Sequence, residues 1–593
     1  MHDPLPTASR ALRALPLAWR RRAGQVLMAV AVAACVLHGP RAQAGNTAVA
    51  TAQPATAAAP TARLAPLALD GRSLTTAQVL DVARGHRPVA PTDDAWQRVD
   101  RSHQLLLEYA RLGQPVYGLN RGVGQNKDQT IFSGDTLSDE ARALSEAFNH
   151  RMLLSHTVAY GEPAPADAVR AAMLVRLNTA LFGGTGMSPA LVRQYVAFLN
   201  HGLTPVVLGQ GSVGEADIGI LPQIGLAMMG EGQVELGGKL MPAADALRQA
   251  GIEPVRPYAK DSLSLLSSNA YGAALAILAA HDAGRLVDRA DEIAALSLEG
   301  LNGNVAPLLP ATQSQRPYAG QRQSARHILG MLEGSALWQI DEQRAQDPLS
   351  FRTASQVHGA ARDALRALEA QLAIQINSSD DNPTVALDVA PPPGAHPQQA
   401  RYYVTEGAVR GAVLPSAGFD PTAWVLPLQS VGVALSHIAQ SSAQRVLRLG
   451  DPAFSKLSRF LSPDSKTLAY TTIQKPVSTL ATEIRALSQP VSSDALVVAG
   501  HIEDVGTNAP LAAQRVQRQV QRLRTLLGIE LIHAAQAVDL RRRADPRRAL
   551  GKGTGALLAA FRDQVPFLSE DRRLATDIAR ADRFLERDRD AGQ

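Results

Sequence analysis

Two glycine-rich stretches carry the side chains best suited to chemistry. The first, Tyr117-Gly118-Leu119-Asn120-Arg121-Gly122-Val123-Gly124, sets a phenol among glycines. Glycines in such a run make a turn, and they also leave the hydroxyl open to a ligand, where it can move a proton. The second is Gly211-Ser212-Val213-Gly214-Glu215-Ala216-Asp217-Ile218-Gly219, followed at once by the apolar run from Ile220 to Met229. Its glycines permit left-handed turns and close approach of backbone to a ligand. Glu215 and Asp217 suit a helix N-terminus, and Pro222 suits a first helical turn. On these features alone, a capped loop entering a core helix and a ligand-facing loop are both open.

The elements that must position these groups read as helices. Aromatic residues make up only 4% of the 593 residues, and long stretches alternate Ala, Leu, Val and Ile with Gln, Arg and Asp at helical spacing, which predicts an all-α protein. Helices are expected over 95–112, 137–160, 166–182, 189–200, 264–298, near 324–337, over 357–376, 424–449 and 511–543. The last places Val516, Val520, Leu523, Leu527 and Leu531 on one stripe, as the core of a bundle requires. Residues 232–257 read as a polar stretch, and Asn377 to Pro383 as a turn. The expected organisation is a signal segment over 1–44, a linker over 45–66, an active-site-loop domain over 67–254, a long-helix bundle over 255–545 and a tail over 546–593.

The N-terminus reads as an address. Arg20-Arg21-Arg22 precede an apolar run from Val26 to Leu37 and the A-x-A site Ala42-Gln43-Ala44, so export with a mature start at Gly45 is expected, placing the protein in the periplasm or outside the cell. Val32-Ala33-Ala34-Cys35 also resembles a lipoprotein signal, which leaves a lipid anchor at Cys35 as a second route. Residues 1–44 hold six arginines and one acid, so the remainder is formally neutral and the basic pI of 9.4 gives no argument for nucleic acid. Cys35 is the only cysteine, so after cleavage neither a disulfide framework nor a thiolate site is available. The histidines are scattered, and neither a metal-binding helix pair nor a phosphate loop is present; Gly183-Gly184-Thr185-Gly186 reads as a turn ending a helix.

Taken in order, the motifs resemble those of the aromatic amino acid ammonia-lyase family, the histidine and phenylalanine ammonia-lyases. Tyr117-Gly118-Leu119-Asn120 is similar to that family's YGVN-type loop, and Leu154-Ser155-His156 to its LSH segment. Gly211-Ser212-Val213-Gly214 is similar to the approach to its prosthetic group, Gln346-Asp347-Pro348-Leu349-Ser350-Phe351-Arg352 to QDPYSLR, Asn382-Pro383 to the DNP turn, and Ile502-Glu503-Asp504 to QED. The resemblance runs from about Leu67 to Arg543. It implies a helical fold related to fumarase and aspartase, a homotetramer with active sites shared between subunits, and a small amino acid as substrate.

The departures are selective. The family forms a methylidene-imidazolone electrophile by cyclising Ala-Ser-Gly directly after GSVG; here the tripeptide is Glu215-Ala216-Asp217, with neither the serine nor the glycine. No such cofactor is therefore expected, and no metal. The family's QDPYSLR tyrosine is Leu349, and the asparagine of its ALING segment falls on Ser267. Tyr117, Gln346, Arg352, Phe419 and Glu503 keep family positions for proton transfer, carboxylate binding and packing.

A quaternary ammonium cannot form the adduct and needs no such help, because trimethylamine departs neutral. The combination resembles the branch of the family typified by ergothionase. On this reading Glu215 and Asp217 give the cation an anionic wall, with Tyr117 and Phe419 as aromatic faces; helix capping is the competing role for both acids. His156 points to an imidazole-type ring, Arg352 would clamp the carboxylate with Gln346 and Asn382 beside it, and Tyr117 would take the β-proton, its pKa depressed by Arg121 or Lys475. Lys475 and Glu503 would act as an acid/base pair on the ring or as a structural ion pair. Two further expectations stay open: an ammonia-releasing histidine-like lyase, and an inactive periplasmic binding protein on the lyase scaffold.

Overall fold

The computed structural model describes residues 65–132, 138–340 and 345–587. The signal segment, Cys35, the Ala42-Gln43-Ala44 site and almost all of the expected linker lie outside the described residues.

The expected helical class is what the chain forms. Its centre is the Ala270–Leu301 helix, buried over most of its length and rich in alanine. Small side chains let a second helix, Ala509–Ala544, lie close alongside: a Cβ added at Gly300 would stand 3.0 Å from that of Ala537. Helices Ala354–Gln375 and Thr422–Leu449 complete the bundle. One buried ionic junction ties three of these helices. Arg445 Nη2 donates to Glu530 Oε2 at 2.9 Å, and Ser297 Oγ donates to Glu530 Oε1 at 2.7 Å. An ion pair so enclosed needs all its partners, because one charge left alone would cost several kcal/mol.

Two departures from the expected elements bear on the site. The 264–298 stretch is not one helix: Asp261–Leu266 is separated from Ala270–Leu301 by Ser267-Ser268-Asn269. Side chains cause the break. Ser268 Oγ and Asn269 N both donate to Asp380 Oδ2, at 2.7 and 3.0 Å, and Asn269 Nδ2 donates to Gly214 O at 2.9 Å. The 232–257 stretch contains a hairpin, Gln233–Leu236 with Lys239–Pro242, antiparallel, and then a helix at Ala243–Ala250. Gly237 and Gly238 make its two-residue turn with φ of 58° and 74°, the left-handed pair that such a connection needs. Elsewhere strands are short, the longest sheet being Thr384–Leu387, Gly411–Leu414 and Tyr403–Val404.

Candidate active site

The Gly211–Gly219 loop is held from three sides. Val213 O accepts from Thr507 N at 2.9 Å and Asn508 N at 2.7 Å, at the start of the Ala509–Ala544 helix. Gly214 has φ of 89°, and a Cβ there would lie 2.4 Å from Thr507 Oγ1 and 2.6 Å from Ala509 N, so only glycine fits. Ser212 is spent within the loop: its Oγ accepts from Gly214 N at 3.1 Å and donates to Ala216 O at 3.2 Å. Ala216 sits in the left-handed region, φ 60°, and so sends the side chains on either side of it to different places.

Glu215 goes to a cavity of about 800 Å³, and Asp217 does not. The Glu215 side chain lines that cavity, the residue is 6% exposed, and its Oε1 has no hydrogen-bond partner. Burial, then the charges of Asp420 and Glu503, push its pKa up to about 7. Asp217 is sealed in the interior, with its N donating to Ser268 O at 2.7 Å and its Oδ2 accepting from Gly272 N at 2.9 Å. The expected anionic wall is therefore corrected for Asp217. It caps a helix that begins more than fifty residues later, rather than the Pro222–Met228 helix beside it.

The same cavity gathers Tyr117, His156, Asn382, Phe419 and Glu503. Tyr117 Oη accepts from Gly124 N at 2.7 Å, which fixes the phenol across its glycine loop. Its pKa lies above that of an ordinary phenol, raised by burial and by Glu503, although the Gly124 bond works the other way. The expected depression by Arg121 or Lys475 is not found in this chain. Arg121 donates instead to Thr130 Oγ1, and Lys475 is elsewhere. His156 ends the Asp139–His156 helix, and its Nδ1 lies 2.8 Å from Met152 O. A carbonyl can only accept, so Nδ1 carries the proton and Nε2 is left for a ligand. Glu503 is raised by burial and partly offset by His156. Asn382 is fixed at both ends: its Oδ1 accepts from Ser416 N at 2.9 Å and its N donates to Asp381 Oδ1 at 2.7 Å. Asp381 in turn holds Lys260 Nζ at 2.6 Å and Arg176 Nη2 at 2.7 Å, all buried.

Besides Asp217, three expected site residues are not in this cavity. Arg352 closes the short helix Leu349–Arg352, where its Nε donates to Asp347 O at 2.8 Å. Gln346 is exposed and lines a different cavity with Gln444, Arg448 and Lys456. Lys475, also exposed, lies in the first turn of the Gln474–Leu487 helix. The Lys475–Glu503 pair is therefore not formed within one chain, and the side chain that acts on Glu503 here is His156.

Sequence reading missed Arg151 and Asp420. Phe148, Arg151, Met152, Ser155 and His156 all line the cavity, at the three- and four-residue steps of one helical face, so Ser155, beside His156 and four residues from Arg151, could have pointed to it. Asp420 follows Phe419 directly, but no spacing marks it.

With this geometry established, likeness to known proteins is informative. The family model "Aromatic amino acid lyase" matches residues 74–563. Histidine ammonia-lyase from Treponema denticola is 32% identical over 529 residues, covering 89% of this chain and 98% of the relative. The corresponding enzyme of Caldanaerobacter subterraneus is 31% identical over 513 residues, covering 86% and 94%. Among solved structures, the ergothioneine-degrading ergothionase of Treponema denticola superposes with a TM-score of 0.80 at 37% identity, over 88% of this chain and 99% of that one. Histidine ammonia-lyase from Trypanosoma cruzi shares the fold, with a TM-score of 0.75 at 24% identity over 88% and 93%. The helical bundle, the glycine-rich loop at its cavity and these likenesses lead to one conclusion: the chain belongs to the aromatic amino acid lyase family and is a carbon–nitrogen lyase.

Proposed function

We propose that the protein eliminates trimethylamine from a trimethylated, ergothioneine-like betaine of a histidine-type amino acid, giving the aryl acrylate without a methylidene-imidazolone. The observation that carries this reading is Glu215, a buried residue that lines the cavity and has a carboxylate oxygen without a hydrogen-bond partner. The family's prosthetic group does not fit the residues present. Ala216 has no hydroxyl to lose, and Asp217 N, which would have to attack, is engaged with Ser268 O at 2.7 Å. The likeness to ergothionase supports the same choice.

In the reaction a base takes the proton from Cβ, its electron pair forms the Cα–Cβ double bond, and the C–N bond breaks with its pair leaving on trimethylamine. Tyr117 is the base, as phenolate, with the Gly124 N–H already directed at its oxygen. On this reading the charge that favours the phenolate comes from the ammonium of the substrate and from cationic residues of neighbouring copies. His156 and Glu503 hold the ring. Arg352, Gln346 and Lys475 enter from other subunits of a homotetramer, which explains why they lie apart from Tyr117 in the single chain. Export to the periplasm, by signal cleavage or with a lipid anchor at Cys35, belongs to the same proposal.

The likeness to histidine ammonia-lyases favours a second reading, release of ammonia from histidine or a related amino acid. A panel of free and trimethylated α-amino acids separates the two, read by acrylate absorbance and by the identity of the amine. Trimethylamine with acrylate from a histidine betaine or its thiol derivative is the expected result. Ammonia from free histidine as the preferred reaction would replace it with the second reading.

A further inference from the structure

The carboxylate at the cavity is not alone. Glu215 shares the cavity with Glu503, and Asp420, next to the cavity residue Phe419, is close enough for its charge to act on Glu215. Like charges brought together in a partly dry space cannot all stay ionised at low cost. Among the described residues there is little to neutralise them. Tyr117, from the 117–124 loop, is a neutral phenol held by Gly124. The Asp139–His156 helix contributes His156, which faces Glu503, and the exposed Arg151. Behind the loop, Asp217 adds another acid, directed into the Ala270–Leu301 helix. Oε1 of Glu215 is left buried with no donor, whereas most buried carboxylate oxygens accept a bond. Such an oxygen needs either a proton on its own carboxyl or a cation beside it.

We infer that Glu215, Glu503 and Asp420 form a proton-linked cation site, which a quaternary ammonium enters as the Glu215 carboxyl gives up a proton to solvent. A quaternary ammonium has no N–H to donate, so it suits a carboxylate wall whose contribution is charge rather than hydrogen bonds. With a fixed positive charge in place, ionised Glu215 is the favoured form; with the cavity empty, the protonated form is favoured up to about pH 7. The raised pKa of Glu215, about 7, sets the range in which this exchange is visible. Linkage fixes its sign: affinity for the cation rises with pH up to that value and is flat above it.

The inference rests on the reading of the substrate as a fixed cation, but its test needs no turnover. Calorimetric titration of the full chain with trimethyl(2-phenylethyl)ammonium, whose ring does not titrate, repeated in buffers of different ionisation enthalpy, counts the protons exchanged. Nearly one proton per site should leave at about pH 6 and roughly a tenth of one at about pH 8, while affinity rises about tenfold over that range. The carbon isostere, with tert-butyl in place of trimethylammonium, should bind with one affinity at both. Glu215→Gln should release no proton and lose the pH dependence. Asp420→Asn changes an exposed residue and should move the midpoint of proton release to lower pH. Absence of proton release from the wild type at pH 6, proton release retained in Glu215→Gln, or an unmoved midpoint in Asp420→Asn would each overturn the inference. Failure to form trimethylamine from any betaine, with proton-linked binding intact, would overturn the proposed reaction alone.

Discussion

Removing the Tyr117 hydroxyl separates proton transfer from binding. Tyr117→Phe keeps the ring as a cavity wall and loses the atom that accepts from Gly124, so turnover should fall at least about a thousandfold with little change in substrate affinity, read from single-turnover rates and a binding titration. Near-normal turnover would remove the tyrosine from the mechanism. Glu215 makes a different prediction, on stability. Its folded pKa lies above the unfolded value of 4.5, so the folded state holds the proton more tightly. Its contribution to stability is full below about pH 4 and is lost as pH rises to 7. Glu215→Gln should therefore be more stable than the wild type at pH 8, by roughly 1–3 kcal/mol, and the gain should vanish by pH 4 in denaturant titrations. A constant difference at every pH would assign the effect to packing.

The loop and the core helix act as one element. The free N–H groups at the start of the Ala270–Leu301 helix are all taken: Asn269 N by Asp380, Ala270 N by Ser268 Oγ, and Tyr271 and Gly272 by Asp217. Such caps are each worth about 1 kcal/mol, and here they also fasten the loop that carries Glu215. Asp217→Ala should cost roughly 1–2 kcal/mol by chemical denaturation, whereas Asp217→Asn, which can still accept from Gly272 N, should lose less. Equal losses would mean that charge rather than capping is what Asp217 supplies. The sequence identified the capping chemistry of Asp217 but assigned it to the neighbouring helix, because only the fold brings Gly272 to the loop. The break at Ser267–Asn269 was hidden for the same reason. An apolar, alanine-rich stretch reads as continuous helix, and its interruption is imposed by Asp380, more than a hundred residues away.

At the scale of the molecule, Arg352 and Gln346, proposed to hold the carboxylate, lie away from the base. Tyr117, His156, Glu215 and Glu503 share one cavity, and Gln346 lines another near Arg352. If subunits share sites as proposed, two inactive variants should complement each other. Co-expressed Tyr117→Phe and Arg352→Ala chains would assemble some sites with both residues intact, and the mixture should regain up to about a quarter of wild-type activity while either alone stays inactive. No recovery in verified mixed assemblies would mean that the residues do not work in one shared site. The sequence by itself determined the helical class, the family and the loss of the serine and glycine in the loop, because periodicity and residue type are local. Tertiary structure decided which acid faces the cavity, what Asp217 caps and what stands opposite Glu503. Those depend on the left-handed turn at Ala216 and on contacts between segments far apart in the chain, and neither is written in the spacing of residues along it.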